Sequence, residues 1–334
     1  MALNAEPDII DATHPSLSRL ETELDNLRAA LDWLQAHDAS AFVEFAGALG
    51  DFWMQRDHFV DGKRCLDLAI AAAPEGSTAR AKVLAAAGSI ATAMGDPASG
   101  RTHGAEALAI YRDVGDSRGI ATAAWNLGYA LGELEEWAKA NELLRESVSR
   151  FAALGDQHSL LWATRTLAWT YAGLENVEEA RRIHTENLAR ARALGSRDAE
   201  ATTLGALAML ELDQGDVPRA MRMLVEHTRI ARELGDRLGM AVSASRMAAA
   251  FMLAGHADLA VRLMACADVV QQELGTNIPW VAKDNEETRA LARTHLDESE
   301  IAAAYAAGTL MTIEEATELS LGWAAELVDQ EGDR

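Results

Sequence analysis

Residues 115–156 read GDSRGIATAAWNLGYALGELEEWAKANELLRESVSRFAALGD, and the Gly-Asp pair that opens this stretch closes it again 40 residues later. Outward from it, Gly115, Gly155, Gly195, Gly235 and Gly275 keep the spacing of 40, with Leu154, Leu194, Leu234 and Leu274 before four of them and Val114 before the fifth. A second series, Gly95, Glu135, Glu175, Gly215 and Gly255, has the same spacing, offset by 20. Self-similarity at such a period marks a stacked array whose units bury their apolar faces on one another. Each half-period is long enough for a helix of about four turns. The punctuation has a physical cause. A helix commonly ends on a residue in the left-handed conformation, which Gly adopts without a Cβ clash. The following Asp116, Asp156 and Asp236 can then accept hydrogen bonds from the first free amides of the next helix. Asp96-Pro97 and Asp216 with Pro218 put proline in a first turn, where its missing N–H is no loss.

Small residues recur where paired helices must approach closely. Gly88, Gly128, Ala168, Ala208 and Ala248 form one column, and Gly100, Ala140, Ala180, Ala220 and Ala260 another. Leu127, Leu167, Leu207 and Met247 precede the first column, and Leu144, Leu224 and Met264 follow the second by four residues. Over roughly residues 40–275 these columns resemble the tetratricopeptide signature. The resemblance implies an all-α fold, a right-handed superhelical solenoid of TPR-like helix pairs. Its expected parts are a lead-in helix and linker (1–40), an array of about six pairs (41–275) and capping helices (276–334). A more diverged first copy runs through Leu49-Gly50, Gly62, Leu66 and Ala69. Gly104 and His184 stand where a large apolar residue is expected, which predicts altered packing there.

Composition agrees. Hydrophobic residues make up 49% of the 334, with few aromatics and only six prolines, which favours helix over strand. The net charge of −22, from 52 acidic against 30 basic residues, repels phosphate backbones and anionic lipid, so neither direct nucleic-acid binding nor membrane association is expected. Cys65 and Cys266 lie far apart and give neither a disulfide framework nor metal-ligand spacing, which predicts a reducing, cytoplasmic setting. The opening residues Met1 to Asp8 lack a basic and apolar leader, and no run approaches the length of a membrane span.

The two ends extend the resemblance. Leu17, Leu20, Leu24, Leu27, Leu31 and Leu34 make an apolar seam for one helix, and the run from Arg19 to Leu34 looks like the helix that joins a nucleotide-binding module to its repeat domain in bacterial LuxR-type and cyclase-linked signal-transduction ATPases. The stretches Leu274 to Pro279, Ala303 to Gly308 and Met311 to Ala316 are similar to the segment that closes such domains. The chain holds no Gly-x-x-x-x-Gly-Lys-Ser/Thr phosphate loop, and too few residues follow Met311 for a helix-turn-helix domain. The resemblance therefore implies a sensor part, with the ATPase or output domains of the full-length protein as partners.

No catalytic, metal or cofactor arrangement is legible. The nine histidines show no ligand spacing, and His184 and His227 read as interior histidines. Acidic pairs such as Glu135-Glu136 and Glu178-Glu179 read as solvated helix starts. Trp53, Trp137, Trp280 and Trp323 read as packing residues. In tetratricopeptide arrays the first helix of each pair lines the concave face. The inward positions here are Thr122, Trp125 and Tyr129 in one repeat and Trp162, Arg165 and Trp169 in the next, flanked by Met209, Leu212 and Met252. Trp125, Tyr129, Trp162, Arg165, Trp169 and Met209 are thus the candidate ligand-binding residues. Rings facing solvent would hold the ligand and Arg165 would bind its carboxylate or phosphate. The clamp that captures acidic chaperone tails needs Asn and Lys or Arg at these columns, and only Arg165 qualifies. The expected function is a non-catalytic sensor of a small inducer, peptide or protein. The alternative is a stand-alone scaffold that docks another protein; a small ligand needs only the aromatic patch, whereas a peptide or protein should also use Glu44, Asp51, Lys82, Glu133 and Asp213 along the groove.

Overall fold

The computed structural model describes residues 15–332, in which the regular structure is helical throughout. Met1 to Asp8 lie outside the described residues. The helices are α1 (Pro15–Thr22), α2 (Leu24–His37), α3 (Ala39–Ala48), α4 (Gly50–Gln55), α5 (Phe59–Ala72), α6 (Thr78–Ala93), α7 (Pro97–Val114), α8 (Ser117–Glu133) and α9 (Trp137–Leu154). They continue as α10 (Gln157–Gly173), α11 (Val177–Leu194), α12 (Arg197–Asp213), α13 (Val217–Leu234), α14 (Arg237–Leu253), α15 (Ala257–Leu274), α16 (Pro279–His295), α17 (Glu298–Thr309) and α18 (Ile313–Gly332). Two compact units divide after Ala180, inside α11. The first is centred on Leu84, Leu108, Ala124, Leu131, Leu144 and Leu167. The second is centred on Leu224, Met247, Phe251, Leu263 and Met264, and α16–α18 add Ala292, Ala304, Ile313, Ala316 and Ala324 to that same core.

The helix ends follow the glycine series. Gly115, Gly155, Gly195, Gly235 and Gly275 all sit at φ between 65° and 73°. The next amide reaches back to close the last turn, Asp116 N to Tyr111 O at 3.1 Å and Asp156 N to Phe151 O at 3.1 Å. The aspartates cap as expected, Asp116 accepting from Arg118 N and Gly119 N and Asp156 from Ser159 N, each at 3.1 Å. The offset series is left-handed too, and there it includes two residues with a Cβ, Glu135 (φ 58°) and Glu175 (φ 61°). The small columns mark the closest helix crossings. A Cβ on Gly100 would come 3.1 Å from the Gly88 carbonyl oxygen, and one on Gly128 would come 2.7 Å from Leu144 Cγ. Ala140, Ala168, Ala180, Ala208, Ala220, Ala248 and Ala260 are fully buried. At Gly104 the packing is altered by tightening: its Cα lies so close to α8 that an added Cβ would stand 3.1 Å from Leu127 Cβ.

Two local expectations change. The leucine seam is shared by two helices, because the chain turns at Glu23 (φ −99°, ψ 13°), whose amide is divided between the carbonyls of Arg19 and Leu20. Leu17, Leu20, Leu27 and Leu31 remain buried on either side of the turn. The first helix of the diverged copy is interrupted at Leu49, where Gly50 is so close to α6 that an added Cβ would stand 2.6 Å from Ala86 Cβ. Small buried residues are also not confined to the two columns, since Ala191, which belongs to neither, is fully buried near the end of α11.

Two outcomes are expected from this packing. Replacing Glu175 with Gly removes the Cβ penalty of a left-handed residue and should stabilise the fold by about 1 kcal/mol, seen as a higher Tm in thermal denaturation. Replacing Ala180 with Leu should cost about 1–3 kcal/mol through overpacking. Ala189→Leu, at an exposed position of the same helix, should change Tm little.

Candidate functional site

Helices α8 and α10 are in contact, and residues three or four apart on each share a face. This brings Trp125 and Tyr129 of α8 beside Trp162, Arg165 and Trp169 of α10, all half-buried. The Arg165 guanidinium carbon stands 5.5 Å from the centroid of the Trp162 ring. Tyr129 and Trp169 are tilted rings 5.8 Å apart, and Trp137, at the start of α9, meets Trp169 edge-on at 5.0 Å. Trp169 lies on Gly132 and Trp137 on Gly173, and a Cβ on either glycine would strike the ring it carries. Trp137, read from the sequence as packing, therefore belongs to the cluster. Gly132 and Gly173, each in the last turn of its helix, leave the space that the two rings fill and are the signal that points to it.

The five residues are not equivalent. Trp125 is anchored: its Nε1 donates to Thr166 Oγ1 at 3.1 Å, Thr166 donates to the Trp162 carbonyl at 3.0 Å, and the indole packs against Ala121, Phe151, Leu160 and Ala163. The expectation of a solvent-facing ring fails there, because the indole N–H finds its partner inside the fold. Arg165 is the opposite case. Its Nε is buried without a hydrogen bond, and among the described residues no ion pair with a carboxylate is found for it. Burial lowers its pKa, with Tyr129 and Glu133 acting in the other direction from further away. Met209 is on α12 in the second unit, half-buried against that unit's core, and Leu212 and Met252 are buried members of the core itself. The latter two are therefore not exposed flanks.

The second unit has its own charged cluster. Arg246 stands over Trp280 at 4.8 Å and fills the space left by Gly205. Burial pushes the Asp284 carboxyl up to about 7, Arg246 opposing and Glu287 and Asp213 adding to the rise. His227 is interior as read. Its Nδ1 lies 2.6 Å from the Ala201 carbonyl, and burial, helped by Arg246, lowers its pKa to about 3. A cavity of about 460 Å³ lies between α7 and α9 above Leu127 and Leu131, its rim tied by Arg101 to Glu136 and Arg112 to Glu146. Among the described residues no group of three or more His, Cys, Asp or Glu is placed to hold a metal, and no helix is long and apolar enough to cross a membrane.

Comparison with known proteins accords with this geometry. The tetratricopeptide repeat family model matches residues 77–153 and 120–193. No curated protein sequence matches. Among solved structures, a Rap protein complexed with competence and sporulation factor is similar at 12% identity and a TM-score of 0.66, covering 93% of this chain and 81% of that one. NprR in complex with its cognate peptide NprX is similar at 13% identity and a TM-score of 0.65, covering 100% and 96%. A signal transduction ATPase with numerous domains and a tetratricopeptide repeat sensor, from Pyrococcus horikoshii, is similar at 15% identity and a TM-score of 0.53, covering 98% of this chain but 52% of that one. Residues 77–193 thus carry tetratricopeptide repeats, and the chain shares its fold with these three proteins.

Proposed function

We propose that this chain is the sensing part of a bacterial signalling or transcription regulator of the LuxR-type or related ATPase class, non-catalytic and cytoplasmic, and that it binds a peptide at the face where α8 and α10 meet. The observation that carries the reading is the grouping of Tyr129, Trp137, Trp162, Arg165 and Trp169 on adjacent helices, half-buried and without an apolar cover. Trp125 backs this face. Met209 is left out of the patch because it belongs to the second unit. A peptide is favoured over a small inducer because the rings form an open face, whereas the cavity of about 460 Å³ lies elsewhere, between α7 and α9. A ring-lined open face suits an extended chain whose side chains stack on it. The Rap protein and NprR, which share the fold, are both solved with signalling factors bound, and the Pyrococcus ATPase carries its repeats as a sensor.

The experiment is retention of a random octapeptide pool on the immobilised full chain, read by mass spectrometry beside a melting curve for each variant. Trp162→Ala and Trp169→Ala should each weaken binding of retained peptides by about 2 kcal/mol, the scale of an interface hot spot. Trp125→Phe should instead lower stability by about 1 kcal/mol through the lost bond to Thr166. Undiminished retention by both alanine variants would remove the patch from consideration.

A further inference from the structure

Among the described residues many arginines meet a carboxylate, and Arg64, Arg145, Arg190, Arg222, Arg229 and Arg232, for which no ion pair is found, are exposed. Arg80, Arg112, Arg118, Arg192, Arg237 and Arg289 each meet a carboxylate within 4.0 Å, as expected in a chain with 52 acidic and 30 basic residues. Arg165 departs from this pattern. It is half-buried and held beside the ring of Trp162, with its Nε buried and unbonded. A ring face attracts a guanidinium but accepts few of its five N–H donors, so this half-buried group has given up part of its water without gaining equivalent partners. A desolvated charge without a hydrogen-bonded counterion is destabilising, and a fold tolerates it where another molecule completes it. The 40-residue column containing position 165 is Trp125, Arg165, Gly205 and Ser245, so repeat packing does not require a cation there.

We propose that Arg165 receives a carboxylate of the bound peptide, so that the ligand is an acidic peptide whose acid group is flanked by apolar or aromatic residues. This rests on the reading of the α8–α10 face as the binding site. The planar fork of a guanidinium matches a carboxylate with two parallel hydrogen bonds. A flat monoanion also enters between ring faces, whereas a phosphate dianion is bulkier and meets stronger repulsion from a chain of net charge −22. The carboxylate has two possible sources, the peptide's C-terminus or an Asp or Glu side chain.

The test uses the octapeptide pool made twice, once with free and once with amidated C-termini, on the full chain. Roughly tenfold stronger retention of the free pool assigns the carboxylate to the C-terminus. Equal retention with Asp and Glu enriched at one position assigns it to a side chain. Either result supports the proposal provided that Arg165→Gln abolishes the preference. Arg165→Lys should keep only part of it, because the fork is lost. Retention without any acidic preference, still lost in Trp169→Ala, overturns the carboxylate assignment and leaves the binding face standing. Absence of retention from both pools overturns both. A ligand-free measurement adds a second check: Arg165→Met removes the desolvated charge and should raise Tm by about 2 °C. A fall in Tm would make the guanidinium a structural element and overturn the proposal.

Discussion

The structure depends on the crossing between the two helices of each pair, where only a hydrogen or a methyl group fits between backbones. Gly88 faces Gly100 and Gly128 faces Leu144 at distances that leave no room for a larger side chain. The fully buried alanines repeat the arrangement at 40-residue intervals. Because that contact fixes the rotation of each helix, it also fixes which residues are turned away from it. The left-handed residues at helix ends set the reversals on either side. Ion pairs such as Arg112 with Glu146 and Arg237 with Glu273 join positions about one repeat apart, but both partners are substantially exposed and such pairs contribute little. Specificity of the stack therefore lies in shape and apolar burial.

Within the first unit, this rotation places two short stripes side by side. Gly132 and Gly173 then set the position of the rings: each leaves the space that an indole fills, and the indoles meet edge-on. At both places, in the last turn of a helix, glycine leaves the space that a ring of the same cluster fills. Arg165 adds a half-buried guanidinium whose Nε has no partner. The open group of rings around a half-buried guanidinium differs from the closed, small-residue crossings on which the stack rests.

Much of the fold was legible because it is written in residue types with a single physical meaning. Glycine at every fortieth position, aspartate after three of them, and small residues in two columns determine helix ends and crossings without reference to the rest of the chain. What was not legible depends on depth. Periodicity identifies residues that share a face, but not how far each is sunk. Trp125 and Trp162 share a pattern, yet one is tied through Thr166 to the interior and the other lies under a guanidinium. Leu212 and Met252 fall at inward positions and are core, because the second unit closes over them. Ala191 is buried outside the columns, and the turn at Glu23 interrupts a seam whose spacing is unbroken. Trp137 joined the cluster through glycines on other helices, a relation between distant positions that no local pattern carries.

The most direct test of the binding face is fluorine NMR of the full chain labelled with 5-fluorotryptophan, whose eight indoles give signals assignable by single Trp→Phe variants. On titration with a peptide recovered from the pool, the signals of Trp137, Trp162 and Trp169 should move together, and those of Trp33, Trp280 and Trp323 should stay. Movement confined to the latter three, with Trp162 and Trp169 unchanged at saturation, would contradict the account.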